Sequence, residues 1–470
     1  MVKAGGALVA TCASTLVVNA NTSAVSILLP AISEDVGVGA ATLQWAVTGY
    51  SLVGAAVIVT GGVLGDIAGR RRVFVGALLL FVVSCVLIAL AGTGAGVIAG
   101  RLLQGAAGST LVACGLSLLS VATSGPARVR AVSLWGAASA IGAAAGPLAG
   151  GALTGSAGWQ SLFWIAAAIA AACVPLTVRT VAESRDPDRP RAVDFAGMLL
   201  VAGALVPFVL ALSEGPDWGW GSAATLGCFA ASAAALLGFV AVERRVRAPL
   251  VDPRLLRNRV LVAATAAILI VAGALNGLMY VMSLYLQDPA GPAMSPLAAG
   301  LATLPAAAGL VVVAPFVSPL ATRLGTRTVV TIGFVLTTAG FALLTIRSTA
   351  AGYAGFVVPL IAIAVGMGFA NGCASSAATA AVPVHEVGAA SGISNMARYV
   401  GAALLVAATA ASYGTAPGAG GLARSAVLLA AVSALGIVLA LCYGRHRPSP
   451  PGAASRVAAA AGVAHTIPGR

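Results

Sequence analysis

Apolar runs of about twenty residues follow one another along almost the whole chain, and short arginine-bearing segments separate them. Only 8% of the 470 residues are charged, whereas a water-soluble globular protein carries roughly 25%. A helix crosses the hydrocarbon core with about 20 apolar residues, and in lipid only helices and closed barrels satisfy their own backbone polar groups. Because the alternation typical of barrel strands is absent, the sequence predicts an all-α, multi-pass membrane protein.

The breaks between the runs are charged or rich in glycine and proline, and they divide the chain into fourteen predicted spans. These lie at 7–30, 42–64, 73–92, 96–121, 131–155, 159–178, 195–213, 222–242, 260–286, 297–320, 328–346, 353–381, 388–412 and 424–444.

The placement of arginine supports this map. With both termini inside, the even-numbered loops lie inside, and of the 26 basic residues only Arg101, Arg347, Arg398 and Arg424 fall outside those loops and the termini. Loops rich in Lys and Arg face the cytoplasm. Loss of one span would invert every later loop, so the segregation predicts an even number of spans and an N-in, C-in orientation.

The net charge of +13 follows from these loop arginines, so we expect a lipid bilayer as the partner of the basic residues and no nucleic acid. The seven cysteines and three histidines have no spacing typical of a metal site or a disulfide framework. There is no phosphate-binding P-loop. We therefore expect no cofactor and no metal, and the absence of a catalytic set within the spans predicts that the protein is not an enzyme.

A weak internal repeat divides the chain. "LGDIAGRR" at 64–71 follows the second span and "LATRLGTR" at 320–327 follows the tenth. Two six-helix halves with a substrate site between them are a transporter architecture. We predict an N-terminal bundle at 1–178, cytoplasmic linkers with two inserted helices (about 195–213 and 222–242) at 179–258, a C-terminal bundle at 259–444, and a short, disordered cytoplasmic tail at 445–470.

The first repeat stretch concentrates charge between two apolar spans. "GGVLGDIAGRRR" contains Gly65, Asp66, Gly69, Arg70 and Arg71. Gly65 and Gly69 favour a tight turn and a close approach of another helix. We expect the acid to pair with an arginine, or with a helix N-terminus of the opposite half, in only one transporter state, as a conformational latch. The alternative is that the arginines only anchor the loop on the cytoplasmic side.

Two further stretches place unusual residues inside spans. "RLLQGAAGS" starts with Arg101 and includes Gln104, and a charge within a span is costly and indicates function; its alternative role is to reach the headgroups. Arg398 lies about ten residues into span 13 and is a similar candidate for proton or substrate handling; the alternative is that a deeper cytoplasmic loop exposes it. The glycine-rich stretch "GAAAGPLAGG" puts small residues four apart on one face, which favours close helix packing, and its proline favours a kink. It contains Gly142, Gly146, Pro147, Gly150 and Gly151.

With "GPDWGW" at 215–220 and "YLQ" at 285–287, these motifs resemble the major facilitator superfamily, in particular its fourteen-helix drug:proton antiporter branch. The resemblance covers all fourteen spans. It implies two six-helix bundles plus two inserted helices, the latch role for the charged loop, proton or substrate handling by Arg101 and Gln104, and a span 5 face that slides against the other half.

One position departs from the resemblance. The family usually carries an Asp in the first span, a few residues before a Leu-Pro end, and counting back from Leu29–Pro30 places Asn21 there. An amide does not bind a proton as a carboxylate does. If proton coupling exists, we expect it to run through Asp66 or through Glu34 and Asp35, and to be weak.

Polar and amphipathic side chains in the spans are the remaining candidates for a substrate cavity without a fixed negative charge. They are Asn19, Trp135, Asn276, Tyr280, Tyr285 and Asn371.

The sequence thus predicts a secondary active transporter that exports hydrophobic or amphiphilic small molecules, driven by the proton gradient, as a monomer in a bacterial inner membrane. The alternatives are an uncoupled or weakly coupled exporter or facilitator, which the missing span 1 acid favours, and a non-transporting membrane sensor.

Overall fold

The computed structural model describes residues 2–123, 125–185, 193–246, 249–252, 254–289, 291–347, 353–383, 386–415 and 417–440. The predicted tail at 445–470 and part of the predicted linker lie outside these residues.

Fourteen α-helices account for nearly all of the described chain, which contains no strand. They are α1 (Val2–Val36), α2 (Ala40–Ala68), α3 (Arg70–Ala89), α4 (Gly94–Ala122), α5 (Gly125–Ala157), α6 (Gln160–Thr180), α7 (Phe195–Trp218), α8 (Ala223–Glu243), α9 (Arg259–Gln287), α10 (Pro296–Leu324), α11 (Thr326–Arg347), α12 (Ala354–Ala380), α13 (Val387–Gly414) and α14 (Ala419–Ala440). A short 3-10 helix, Leu255–Arg257, precedes α9.

Each predicted span corresponds to one helix, and thirteen helices are long and apolar enough to cross a membrane. The remaining helix, α10, has shorter apolar stretches at Pro296–Ala306 and Val312–Leu324, where its side chains are described. Several predicted ends are wrong: α1 continues past Pro30, α5 begins at Gly125 and not at 131, and α7 continues through the predicted loop at 214–218. Hydropathy marks where a segment leaves the hydrocarbon, but backbone hydrogen bonds extend a helix beyond that point.

Two apolar cores organise the molecule. One joins residues of α1, α2, α3, α4 and α6, including Leu29, Phe81 and Phe163. The other joins residues of α9 to α14, including Ile268 and Phe334. The molecule is therefore built as two six-helix bundles with α7 and α8 added, and α7 packs on α2 and α13 at the seam between the bundles.

The glycines of α5 determine how the first bundle packs. A methyl group added at Gly142 would overlap the carbonyl of Leu16, and one at Gly146 would overlap Ser23 and the carbonyl of Ala20. This face therefore lies against α1 of the same bundle, and the prediction that it slides against the other half is wrong. Gly150 also faces α1, at Ala24.

Contact between the bundles is made instead by the neighbouring positions of α5. The carbonyl of Pro147 lies 2.6 Å from the point where a side chain at Gly300 would begin, and Gly151 meets Pro296 in the same way. The faces differ because glycines four apart share one side of a helix, whereas Pro147 and Gly151 are each rotated about 100° from it.

Candidate functional site

A buried network surrounds Arg101 in the first bundle. Its Nη1 donates to Oδ1 of Asn21 at 3.1 Å and to Oε1 of Gln104, and its Nε donates to the carbonyl of Ala46 at 2.9 Å. The carbon of the guanidinium lies 4.3 Å from the ring centre of Tyr50. Arg101 is only 1% exposed, so the alternative of a side chain that reaches the headgroups is wrong.

Every hydrogen-bonding partner of Arg101 in the described residues is neutral. Nη2 of Arg101 and Nδ2 of Asn21 are buried without a hydrogen-bond partner, and Asn21 and Gln104 are themselves 2% and 0% exposed. A buried charge is usually paired with an opposite charge, because desolvation is costly. The network thus concentrates uncompensated positive charge and spare N–H donors between α1, α2 and α4.

Arg398 forms a second, separate network in the other bundle. Its Nη1 donates to Oδ1 of Asn371 at 2.9 Å, and its Nη2 donates to Oγ of Ser375 at 2.8 Å. The side chain is half-buried and bridges α13 to α12. The structure therefore joins two of the predicted site residues, Arg398 and Asn371, to a serine that the sequence did not indicate.

Two tyrosines lie between these networks. The ring of Tyr50 on α2 lies 6.2 Å from the ring of Tyr399 on α13, centre to centre, and Tyr399 also fills the space beside Gly54. Tyr399 follows Arg398 directly in the chain, and Tyr50 covers Arg101. The contact between the tyrosines crosses the seam between the bundles. Both tyrosines lie more than two turns from the ends of their helices, and the sequence alone did not indicate that they meet.

The charged loop between α2 and α3 is a single-residue break. Gly69 has φ +118°, a conformation that favours glycine, and the chain is helical on both sides of it. Gly65 is inside α2 and does not turn the chain, so the turn predicted there is wrong. The close helix approach predicted for it is observed, because a side chain at Gly65 would begin 2.9 Å from Sγ of Cys114 on α4.

The acid and arginine of this loop pair with each other. Both Nε and Nη2 of Arg70 lie 2.8 Å from Oδ1 of Asp66, four residues earlier. The predicted pairing with an arginine is thus observed, within the first bundle.

Glu183, just after α6, completes the loop contacts. Its Oε1 accepts from the backbone N–H of Arg71 at 3.1 Å, and its Oε2 lies 3.9 Å from Nε of Arg71 and 3.7 Å from Nε of Arg72. A carboxylate at the first turn of α3 also meets the positive end of the helix dipole. The sequence feature that could have indicated this contact is the position of Glu183, an acidic residue that directly follows a span on the arginine-rich side of the membrane.

The other predicted cavity residues are dispersed. Asn19 and Asn276 donate to carbonyls four residues earlier in their own helices, at 2.8 Å each. Tyr280 is packed among apolar residues of the first bundle. The ring of Tyr285 lies 5.8 Å from that of Phe356 within the second bundle, tilted by 57°, and Nε1 of Trp135 is buried without a hydrogen-bond partner among the described residues.

The bundles are also joined near the end opposite the arginine-rich loops. Oγ of Ser283 donates to the carbonyl of Ser26 at 2.5 Å, and Nε2 of Gln287 donates to the carbonyl of Ile27 at 3.1 Å. With the contacts of Pro147 and Gly151 to α10, these hydrogen bonds hold the two bundles together at that end. No group of three or more His, Cys, Asp or Glu suited to a metal was found among the described residues.

Two six-helix membrane bundles, joined at one end and each carrying an arginine well inside one of its helices, define a multi-helix membrane transporter. The chain belongs to the Major Facilitator Superfamily, whose family model matches residues 11–406.

Curated relatives are about one third identical to this chain. The chain is 32% identical over 333 residues to the tetracenomycin C resistance and export protein of Streptomyces glaucescens, a match that covers 71% of this chain and 61% of that protein. It is 32% identical over 416 residues to the cephamycin export protein CmcT of Amycolatopsis lactamdurans, which covers 87% and 85% respectively.

A solved structure supports the fold. The crystal structure of the human organic anion transporter MFSD10 (TETRAN) aligns with a TM-score of 0.64 and 16% identity, and the match covers 93% of this chain and 99% of that one.

Proposed function

We propose that the protein exports hydrophobic or amphiphilic organic compounds across a bacterial cytoplasmic membrane by alternating access, in exchange for protons. The names of the relatives, an export protein for tetracenomycin C and one for cephamycin, support export of organic molecules. The arginine-rich loops support a cytoplasmic location for the end that carries them. The protein then acts as a transporter, not as an enzyme.

The observation that carries this proposal is the closure between the bundles. Side-chain hydrogen bonds from Ser283 and Gln287 to carbonyls of α1 join the halves at the outer end. Each of these two side chains donates one hydrogen bond across the seam, and the packing of Pro147 and Gly151 on α10 completes the closure at this end. Alternating access requires such a reversible closure on each side of a central site.

The candidate groups for proton exchange are carboxylates near the ends of helices. Asp66 is paired with Arg70, and Oδ2 of Asp35 accepts from Trp159 at 3.0 Å and from Gln160 at 3.1 Å. Both carboxylates lie close to helix ends, where bulk water competes for the proton. A weakly coupled or uncoupled exporter is the second candidate, and the amide of Asn21 beside Arg101 favours it.

Transport in everted membrane vesicles tests the proposal. A panel of lipophilic dyes and antibiotics is screened for accumulation with and without a protonophore. We expect accumulation that the protonophore reduces. Flux that the protonophore leaves unchanged identifies the uncoupled exporter, and no flux for any compound in well-folded protein contradicts export.

A further inference from the structure

The charged side chains that lie deep within the membrane-spanning helices are positive. Arg101 lies seven residues into α4 and Arg398 eleven residues into α13. Every Asp and Glu of the sequence lies in a connecting segment or within about one turn of a helix end. The interior of the bundle thus holds two guanidinium groups and no carboxylate.

The two guanidinium groups differ in access. Arg101 is sealed between α1, α2 and α4, behind the ring of Tyr50. Arg398 is half-buried, more than two turns from the start of α13. A charge exposed at that depth faces a water-filled space between helices and not lipid, because the cost of a charge in hydrocarbon is high. Its neighbour Tyr399 contacts α2 of the other bundle, so this space adjoins the seam.

Arg398 also has N–H donors beyond those used in its two hydrogen bonds. A guanidinium has five N–H donors, and the hydrogen bonds to Asn371 and Ser375 hold it through neutral oxygens. One turn earlier on the same face of α13, Ser394 is 7% exposed and its Oγ has no hydrogen-bond partner. Arginine recognises a carboxylate through parallel N–H donors, and this geometry leaves such donors available.

We propose that the space beside Arg398 selects organic anions, amphiphiles that carry a carboxylate or a similar acidic group, and that Arg398 binds that group. The buried charge of Arg101 contributes a positive potential from the first bundle, since its partners are neutral. In a medium of low dielectric constant, an unpaired positive charge attracts an anion strongly and disfavours a cation. This inference rests on the proposed export function and specifies its substrate class.

The test compares two probes with one hydrophobic body and opposite charges, pyrenebutyrate and pyrenebutyl-trimethylammonium, in proteoliposomes. We expect uptake of the anion with a KM about tenfold lower than that of the cation, a difference typical of one charge-assisted contact. Arg398→Gln should raise the KM for the anion about tenfold. Arg424→Gln is the matched control, because Arg424 is exposed and bonds only to Thr415 at the other end of α13 in the described structure.

A second variant adds a charge and removes none. Asn21→Asp places a carboxylate beside Arg101 and should reduce the difference between the KM values of the anion and the cation. This test is available even if Arg398→Gln does not fold. Two outcomes overturn the charge inference while export stands. One is preferred uptake of the cation by the wild type. The other is an unchanged preference for the anion in Asn21→Asp together with an unchanged KM for the anion in folded Arg398→Gln. Uptake of neither ion, with the protein monodisperse, overturns the inference; whether export itself fails is decided separately by the vesicle panel.

Discussion

Nη1 of Arg101 donates a hydrogen bond to Oδ1 of Asn21 at 3.1 Å, so an amide occupies the position where a carboxylate would neutralise the buried charge. The geometry of this contact suits an aspartate equally well, because Asp and Asn have nearly the same shape. The difference between the two side chains is therefore one of charge and of proton binding. An arginine stays protonated at physiological pH, so Arg101 does not carry the proton itself.

Asn21→Asp should steepen the dependence of transport on pH. The introduced carboxylate is ionisable and sealed from bulk water, whereas the wild-type candidates lie at the membrane faces. Flux in proteoliposomes under imposed pH gradients measures the effect, and we expect a shallow wild-type profile. A steep wild-type profile that survives Asp66→Asn and the double change Glu34→Gln with Asp35→Asn would show that protons use other residues.

Asp66→Asn should reduce flux by about tenfold, which corresponds to about 1.4 kcal/mol of lost stabilisation of one conformational state. The substitution removes the ion pair with Arg70 and leaves the shape of the loop. The control is Asp217→Asn, since Asp217 is exposed at the end of α7. Equal flux in wild type and Asp66→Asn, at matched expression, would show that the arginines of this loop serve only to anchor it on the cytoplasmic side.

Gly146→Val should destabilise the first bundle by about 1–3 kcal/mol, the usual cost of overpacking. The added side chain meets Ser23 and the backbone of Ala20 on α1. Gly155→Val is the matched control on the same helix, because nothing lies within 4 Å of that position. Thermal unfolding in detergent compares the two. Similar melting temperatures would mean that α5 and α1 separate readily.

The buried carboxyl groups of Asp194 and Glu243 lie beside each other at the base of α7 and α8. Oδ1 of Asp194 accepts from Gly197 N at 2.7 Å, Oε2 of Glu243 accepts from Val251 N at 3.3 Å, and their other oxygens meet beside Gly197 without hydrogen-bond partners in the residues described. Burial, with the carboxyl group of Asp194 nearby, raises the pKa of Glu243 to about 7. Stability should be present at low pH and fall as the pH rises towards and through 7, because Glu243 then ionises in a buried position.

Glu243→Gln should remove this dependence, with a gain on the order of 1 kcal/mol over wild type at alkaline pH. Melting temperatures across a pH series measure it, and Glu34→Gln at an exposed site is the control. Parallel pH profiles for wild type and Glu243→Gln would show that ionisation of Glu243 does not affect the stability of the folded protein.

The positions of the helices were predictable because they depend on local hydropathy and on charges at loop positions. Residues such as Leu29 and Phe81 needed only to be apolar to place their spans. Arg101 was predictable as a functional candidate because a charge inside a span is rare whatever its surroundings. Gly69 was predictable as a turn, whereas Gly65, four residues earlier, belongs to the helix.

What the sequence determined by itself is therefore the set of fourteen helices, the arginine-rich side, and the residue types that are unusual in lipid. Tertiary structure alone decided which of them meet: Glu183 with Arg71 across 112 positions of the chain, Asn21 with Arg101 across 80, and the glycine face of α5 with α1 and not with the other bundle. The physical reason is that hydropathy is a property of one segment. A contact between polar groups depends instead on the rotation and depth of two helices, which the packing of the whole bundle sets.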